Sequence, residues 1–217
     1  DATYLINDYG TELEDKPLKG NDGSKVTAAS QRKRFIALTR ALQDAGTPPN
    51  AIGLQSHTGG WARPSQQWAV YDEYADGTGL PVHVTEYWAD TKRLKATGKF
   101  DDAELDAMQA RHVCDYLTCA FGHPAVDAFF FWDFMGAAIR WHDAFSSHET
   151  RPVWDAVRRL LREEWRTRLS LRTDAQGRVA FRGFLGDYAV RRPLGPTTQG
   201  TSFRLSRQTT GDLTISL

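Results

Sequence analysis

Four short apolar runs in this chain end in side chains that could bind or transform a ligand. Tyr4-Leu5-Ile6 leads into Asn7-Asp8-Tyr9, and Ala51-Ile52-Gly53-Leu54 into Gln55-Ser56-His57. Leu80-Pro81-Val82-His83-Val84 leads into Thr85-Glu86-Tyr87-Trp88, and the run from Val126 ends in Trp132-Asp133. In a sheet of parallel strands joined by helices, the carboxyl ends of the strands line one common face, where ligands bind. One carboxylate, one imidazole, amides and indoles would then converge on a single cleft. Such a set suits a sugar, because the apolar face of a pyranose stacks on an indole while its hydroxyls seek short polar partners. Taken singly, each residue has a plainer use: Glu86 as a helix cap or surface charge, His57 as a structural histidine, Trp132 as core, Asn7 as a turn residue. Convergence at strand ends is what raises them to candidates.

The elements that must position these residues follow from periodicity. Near-continuous apolar runs indicate strands covered on both faces, as in a parallel sheet. Between them, Val26 to Ala45 places Phe35, Leu38 and Leu42 at helical spacing and stops at Gly46. Ser65 to Ala75 reads as a shorter helix, Asp101 to Phe121 as a long one, and Pro152 to Trp165 as a last one with proline in its first turn. Strand and helix alternate four times, which predicts parallel strands with right-handed crossovers. A doubly wound sheet and a barrel both satisfy that pattern. Further on, Ser170 to Arg191 and Ser202 to Leu217 alternate polar with apolar residues around Gln176-Gly177 and Gly211-Asp212, which are hairpin signals. Arg192 to Pro196 reads as a rigid turn or linker between them.

Composition bounds the class. The chain has 217 residues, 41% apolar and 25% charged, with 27 basic and 27 acidic side chains, a balance that excludes disordered, collagenous and coiled-coil chains. The balance hides an asymmetry: residues 1 to 165 carry 18 Lys and Arg against 24 Asp and Glu, while residues 166 to 217 carry nine Arg against three Asp. All seven tryptophans fall in the first part, so a boundary is expected near Arg166. The arginines of the tail fit the wet face of a small sheet, or docking against the acidic part, better than an anionic partner. Cys114 and Cys119 stand five apart in a helical segment, on different faces, and read as two small buried hydrophobes rather than a disulfide. Scattered histidines give no support to a zinc site, and no apolar run approaches the roughly 20 residues of a membrane helix.

Five blocks in order resemble the second half of glycoside hydrolase family 10, the endo-β-1,4-xylanases. They are Leu5-Ile6-Asn7-Asp8-Tyr9, Ile52-Gly53-Leu54-Gln55-Ser56-His57, Gly79-Leu80-Pro81-Val82-His83-Val84-Thr85-Glu86, Phe131-Trp132 followed by Trp141, and Arg151-Pro152-Val153-Trp154-Asp155-Ala156-Val157. The resemblance spans about residues 3 to 162. It implies an α/β fold, the C-terminal half of a (β/α)8 TIM barrel with parallel strands five to eight over residues 1–165, plus a small C-terminal antiparallel β module over 166–217. It makes Glu86 the nucleophile that attacks the anomeric carbon, and His57 the residue that orients it and keeps it ionised. Asn7 and Gln55 would line the cleft, with Trp132 and Trp141 as aromatic floor and wall. The partner implied is a β-1,4-linked plant polysaccharide. Cofactor, metal, nucleic acid and membrane are not required, and a full-length monomer outside the cell or in the periplasm is expected.

The same resemblance exposes a gap. A retaining glycosidase uses two carboxyl groups about 5 to 5.5 Å apart, one attacking while the other protonates the leaving oxygen. The family's second carboxyl is a Glu following an Asn at the end of its fourth strand, and this sequence holds no Asn-Glu pair. A barrel of this kind takes about 250 residues. The expectation is therefore a fragment that lacks the acid/base half and is inactive alone. A non-catalytic glycan-binding protein on the same fold is the alternative. After the nucleophile the family commonly runs Glu-Leu-Asp where this chain has Glu86-Tyr87-Trp88, and Arg140 stands before the second tryptophan where serine is frequent. These departures bear on the choice of glycan rather than on the reaction.

Overall fold

The innermost strand has no polar side chain to satisfy. Ala51–Leu54 is buried along its whole length, which suits a strand with sheet neighbours on both edges and cover on both faces. The computed structural model describes residues 2–12, 18–20, 22–57, 61–133, 139–141, 148–194 and 196–216, with the backbone alone at 18, 139–141 and 194. In chain order the elements are β1 (Leu5–Asp8), β2 (Leu18–Lys19), β3 (Lys25–Val26), α1 (Ala28–Asp44), β4 (Ala51–Leu54), α2 (Pro64–Thr78), β5 (Val82–Tyr87), α3 (Lys92–Lys95) and α4 (Asp102–Gly122). There follow β6 (Val126–Phe131), β7 (Ile139–Trp141), β8 (His148–Thr150), α5 (Pro152–Arg159), one π-helical turn (Leu160–Glu164), β9 (Gly186–Leu194) and β10 (Thr197–Leu205). The chain divides into two compact units, residues 1–158 and 159–217.

The first unit is built on a four-stranded parallel sheet in the order β1-β4-β5-β6. Each new strand is laid beside the previous one in the same direction, so right-handed crossovers place every helix on one face. A doubly wound sheet reverses its order partway; this one does not, and it is an arc of a barrel. On the helix-covered face Ile52 pairs with Val82 and Leu54 with Val84, and all four are 0% exposed. At roughly 1.5 to 3 kcal/mol for each aliphatic side chain taken out of water, this layer is a main source of cohesion. Tyr71, Tyr74, Leu105, Val113 and Tyr116 complete the core beneath α2 and α4. On the other face Asn7, Gly53 and His83 lie in register across three strands.

Local signals set the helix ends. Thr27 and Ser30 form a reciprocal capping box on α1, as do Asp101 and Glu104 on α4. Pro64 opens α2, and Gly79, at φ 69°, closes it in the left-handed region. Arg151 binds Asp106 through Nε at 3.1 Å and Nη2 at 2.5 Å, tying the entry of α5 to α4. Cys114 and Cys119 are free thiols. Burial pushes the Cys119 thiol up to about 11, as expected of a cysteine used as a hydrophobe.

In the second unit β9 and β10 pair antiparallel, Leu194 against Thr197 through Gly186 against Leu205. The reversal thus falls within the segment read as a linker, because alternation alone cannot tell which turn signal joins two strands. The Gln176-Gly177 signal does make a turn, with Asp174 N donating to Arg178 O at 2.8 Å, but it joins no strands. Tyr188 stacks on Phe203 with ring centroids 5.1 Å apart and meets Phe181 at 5.7 Å.

His112 makes the first unit acid-sensitive. Its ring stacks on Trp61 at 4.8 Å and 7°, its Nε2 is buried with no hydrogen-bond partner among the described residues, and burial pushes its imidazole down to about 4 from 6.5. The fold therefore favours the neutral ring, so its contribution is complete above about pH 6.5 and is lost as the pH falls toward 4. At 1.36 kcal/mol per unit the full loss is about 3 kcal/mol. Urea denaturation at pH 7 and pH 4 checks this: His112→Phe should lose less stability than the parent chain, by about that amount, and an identical loss in both would contradict it.

Candidate active site

A register shift against β6 between Val84 and Tyr87 breaks the strict alternation of β5 just where its chemistry sits. On a regular strand Thr85 and Glu86 would point to opposite faces; a bulge re-aims one of them. Here both reach Asn7 across the sheet. Thr85 Oγ1 donates to Asn7 Oδ1 at 3.0 Å, which sets the amide so that Asn7 Nδ2 donates to Glu86 Oε1 at 3.4 Å. On the other side His57 Nε2 lies 3.0 Å from Glu86 Oε2. Each carboxylate oxygen is met by a nitrogen from a different strand end, and the imidazole is the closer hold. Side-chain exposures of 33% for His57 and 23% for Glu86 leave the pair within reach of a ligand.

Main-chain bonds beyond the strands bring the partners together. Gln55 N donates to Asp8 O at 2.9 Å, Glu86 N to Gln55 O at 3.1 Å, Trp88 N to Ser56 O at 3.2 Å, and Trp132 N to Tyr87 O at 3.0 Å. His57 pairs with Trp88 as an isolated parallel bridge. Ser56 makes this last step at φ 59°, a left-handed conformation rare outside glycine. Its hydroxyl donates to Glu12 Oε1 at 2.6 Å, and both residues are buried. Burial raises the Glu12 carboxyl above the usual range, partly offset by the hydrogen bonds from Ser56 and Thr11.

Asn7, His57 and Glu86 are thus brought together as expected from their place at strand ends. Trp132 is 55% exposed, with its ring 5.8 Å from the His57 ring and nearly perpendicular to it. Gln55 is half-buried and enters through its main chain, which bridges Asp8 to Glu86. The backbone of Trp141 pairs with His148, while its side chain, like that of Arg140, lies outside the described residues. Asp8 is committed to structure, accepting from Gln31 Nε2 at 2.9 Å and Tyr9 N at 2.8 Å. The ring following Glu86 turns into the core: Tyr87 is 1% exposed and stacks on Tyr116 at 4.3 Å. Among the described residues no cluster of three His, Cys, Asp or Glu could hold a metal ion. Thr85 and Ser56 stood in the strand-end strings with no role of their own, and Glu12 escaped the sequence reading. Thr85 adjoins Glu86 and was within reach of it, whereas the Glu12–Ser56 contact joins residues 44 apart and has no local signature.

These four parallel strands form a barrel arc with a carboxylate at the end of the third. Residues 1–158 match the family profile of glycosyl hydrolase family 10, and the chain belongs to that family. Endo-1,4-beta-xylanase 1 of Arabidopsis thaliana is 26% identical over 191 residues, 87% of this chain and 18% of the relative. Anti-sigma-I factor RsgI6 of Acetivibrio thermocellus is 26% identical over 171 residues, 77% of this chain and 21% of the relative. The chain therefore spans about a fifth of the length of these curated relatives. Among solved structures, a family-10 xylanase of Bispora sp. MEY-1 with xylobiose superposes at a TM-score of 0.51 with 12% identity, covering 71% of this chain and 45% of that one. That likeness shows the fold.

Gly53 leaves the room in which Asn7 sits. A Cβ there would fall 2.5 Å from Leu5 Cδ1 and 2.8 Å from Asn7 Oδ1. Gly53→Ala is expected to push the ends of Leu5 and Asn7 aside and so draw the Asn7 amide away from Glu86. A structure of the variant checks it, and an Asn7 amide still within reach of Glu86 would contradict the packing described.

Proposed function

We propose that Glu86 is the nucleophile of a retaining β-1,4-glycanase, most simply a xylan hydrolase, and that this chain carries the nucleophile half of its site. The observation that supports this is the Glu86 carboxylate gripped between the Asn7 amide and the His57 imidazole, on an open face beside the exposed Trp132 ring. Donors aimed at both oxygens hold the carboxylate in a single rotamer, which an attacking group needs. One Glu86 oxygen would add to the anomeric carbon as the glycosidic bond breaks, forming a glycosyl ester that water then cleaves. His57 would orient the attacking group, Asn7 and Gln55 would hold sugar hydroxyls, and Trp132 and Trp141 would give the rings an apolar surface.

The leaving oxygen needs a proton from a second carboxyl about 5 to 5.5 Å from the first. Asp8 is engaged with Gln31 and Tyr9, and Glu12 is buried behind Ser56; on this proposal the proton donor is supplied by a further segment of a longer enzyme. The substrate class, action outside the cell or in the periplasm, and a monomeric full-length enzyme are parts of the same proposal. A second reading is a non-catalytic glycan-binding protein that keeps the exposed Trp132 ring as its sugar platform.

Two measurements test this. In the longer enzyme Glu86→Gln should lower turnover of xylan by several orders of magnitude while binding of the glycan persists, and retained turnover would refute the assignment. The 217-residue chain alone should release no reducing sugar; steady release would show that it holds its own proton donor.

A further inference from the structure

We infer that Glu12 is a positioning residue for the catalytic pair: it clamps the left-handed turn at Ser56 that sets His57 against Glu86. The inference rests on the nucleophile reading for its consequence in catalysis, and on geometry alone for the clamp itself.

Ser56 stands at a junction of the site. Upstream, Gln55 is locked by main-chain bonds to Asp8 and Glu86; downstream, His57 must reach Glu86 Oε2 at 3.0 Å. The connection is made by one residue at φ 59°, with its carbonyl accepting from Trp88 N at 3.2 Å. Serine has a Cβ that disfavours this region, so something must hold it there. Its hydroxyl is the available handle. It donates to Glu12 Oε1 at 2.6 Å, short enough for a strong bond, whereas the alternative acceptor, Leu54 O, lies at 3.4 Å.

Glu12 is a costly residue to bury for no purpose. It is 7% exposed, Thr11 beside it is 0% exposed, and Thr11 Oγ1 adds a second contact to Glu12 Oε2 at 3.4 Å. The surroundings are the rings of α2 and α4, with the hydroxyls of Tyr71, Tyr74 and Tyr116 buried nearby. A buried carboxyl whose short bond goes to the strained residue next to the orienting histidine acts through that residue. It touches neither Glu86 nor the open face, and is a positioning residue rather than a catalytic one.

The test reads the His57–Glu86 contact directly in the 217-residue chain. With the imidazole nitrogens labelled, Glu86→Gln should shift the His57 Nε2 resonance in the parent background, because the two are bonded. In a Glu12→Ala background that response should vanish. In Glu12→Ala combined with Ser56→Gly it should return, since glycine adopts a positive φ without a clamp. Glu12→Gln keeps an acceptor for the Ser56 hydroxyl, is nearly isosteric and should keep the response, so a loss there overturns the inference even where Glu12→Ala does not fold. A full response in folded Glu12→Ala, or no recovery with glycine, overturns it as well. In the longer enzyme Glu12→Ala should lower kcat at least tenfold with KM within about twofold, with recovery in the glycine double variant; an unchanged kcat would overturn the catalytic consequence. Retained turnover in Glu86→Gln would instead sink the nucleophile reading and leave the resonance result standing.

Discussion

The Glu86 carboxylate is held from two sides and left open on a third, and the first unit is arranged around that hold. Its two oxygens are held by His57 and Asn7, which arrive from different strands. None of these contacts is local in sequence. They exist because β1, β4 and β5 are parallel, adjacent and in a register that sets Asn7, Gly53 and His83 side by side. A slip of one residue would turn every side chain to the other face. The buried layer of Ile52, Leu54, Val82 and Val84 makes such a slip expensive, because it would drive apolar side chains into water. Packing on the helix side thus specifies geometry on the ligand side.

Much of this frame was legible in the sequence. Four apolar runs bounded by turn residues became the four strands of the sheet, and the side chains just beyond them became the site, because strand ends in such a sheet share one face. Helix starts lay close to those read from periodicity, at Ala28, Pro64 and Asp102, whereas α2 runs on to Thr78, past the Ala75 end that was read. Periodicity left a doubly wound sheet and a barrel equally open, since crossover order is a tertiary property; strand pairing distinguished them. The bulge that swings Glu86 toward Asn7 depends on pairing with β6 and left no trace in Val82–Tyr87. In the second unit the strands formed around neither hairpin signal but around the segment that had been read as a linker.

Two carboxyls at or just after the end of β1 serve structural roles: Asp8 binds Gln31, and Glu12 binds Ser56. An arc of four parallel strands also leaves its terminal strands, β1 and β6, short of partners among the described residues, and unpaired edges of this kind invite pairing. Both observations are explained together if further strands and a proton donor complete the barrel in a longer enzyme.

The central claim is that Glu86 bonds to the anomeric carbon of a β-1,4-linked sugar. The most direct measurement is to treat the longer enzyme with a slow fluorinated xylobioside, digest it and find the modified peptide by mass spectrometry. The account predicts one glycosyl ester, on Glu86 in the segment Val82–Tyr87. A label on a different carboxyl, or an active enzyme that never forms an ester, would contradict it.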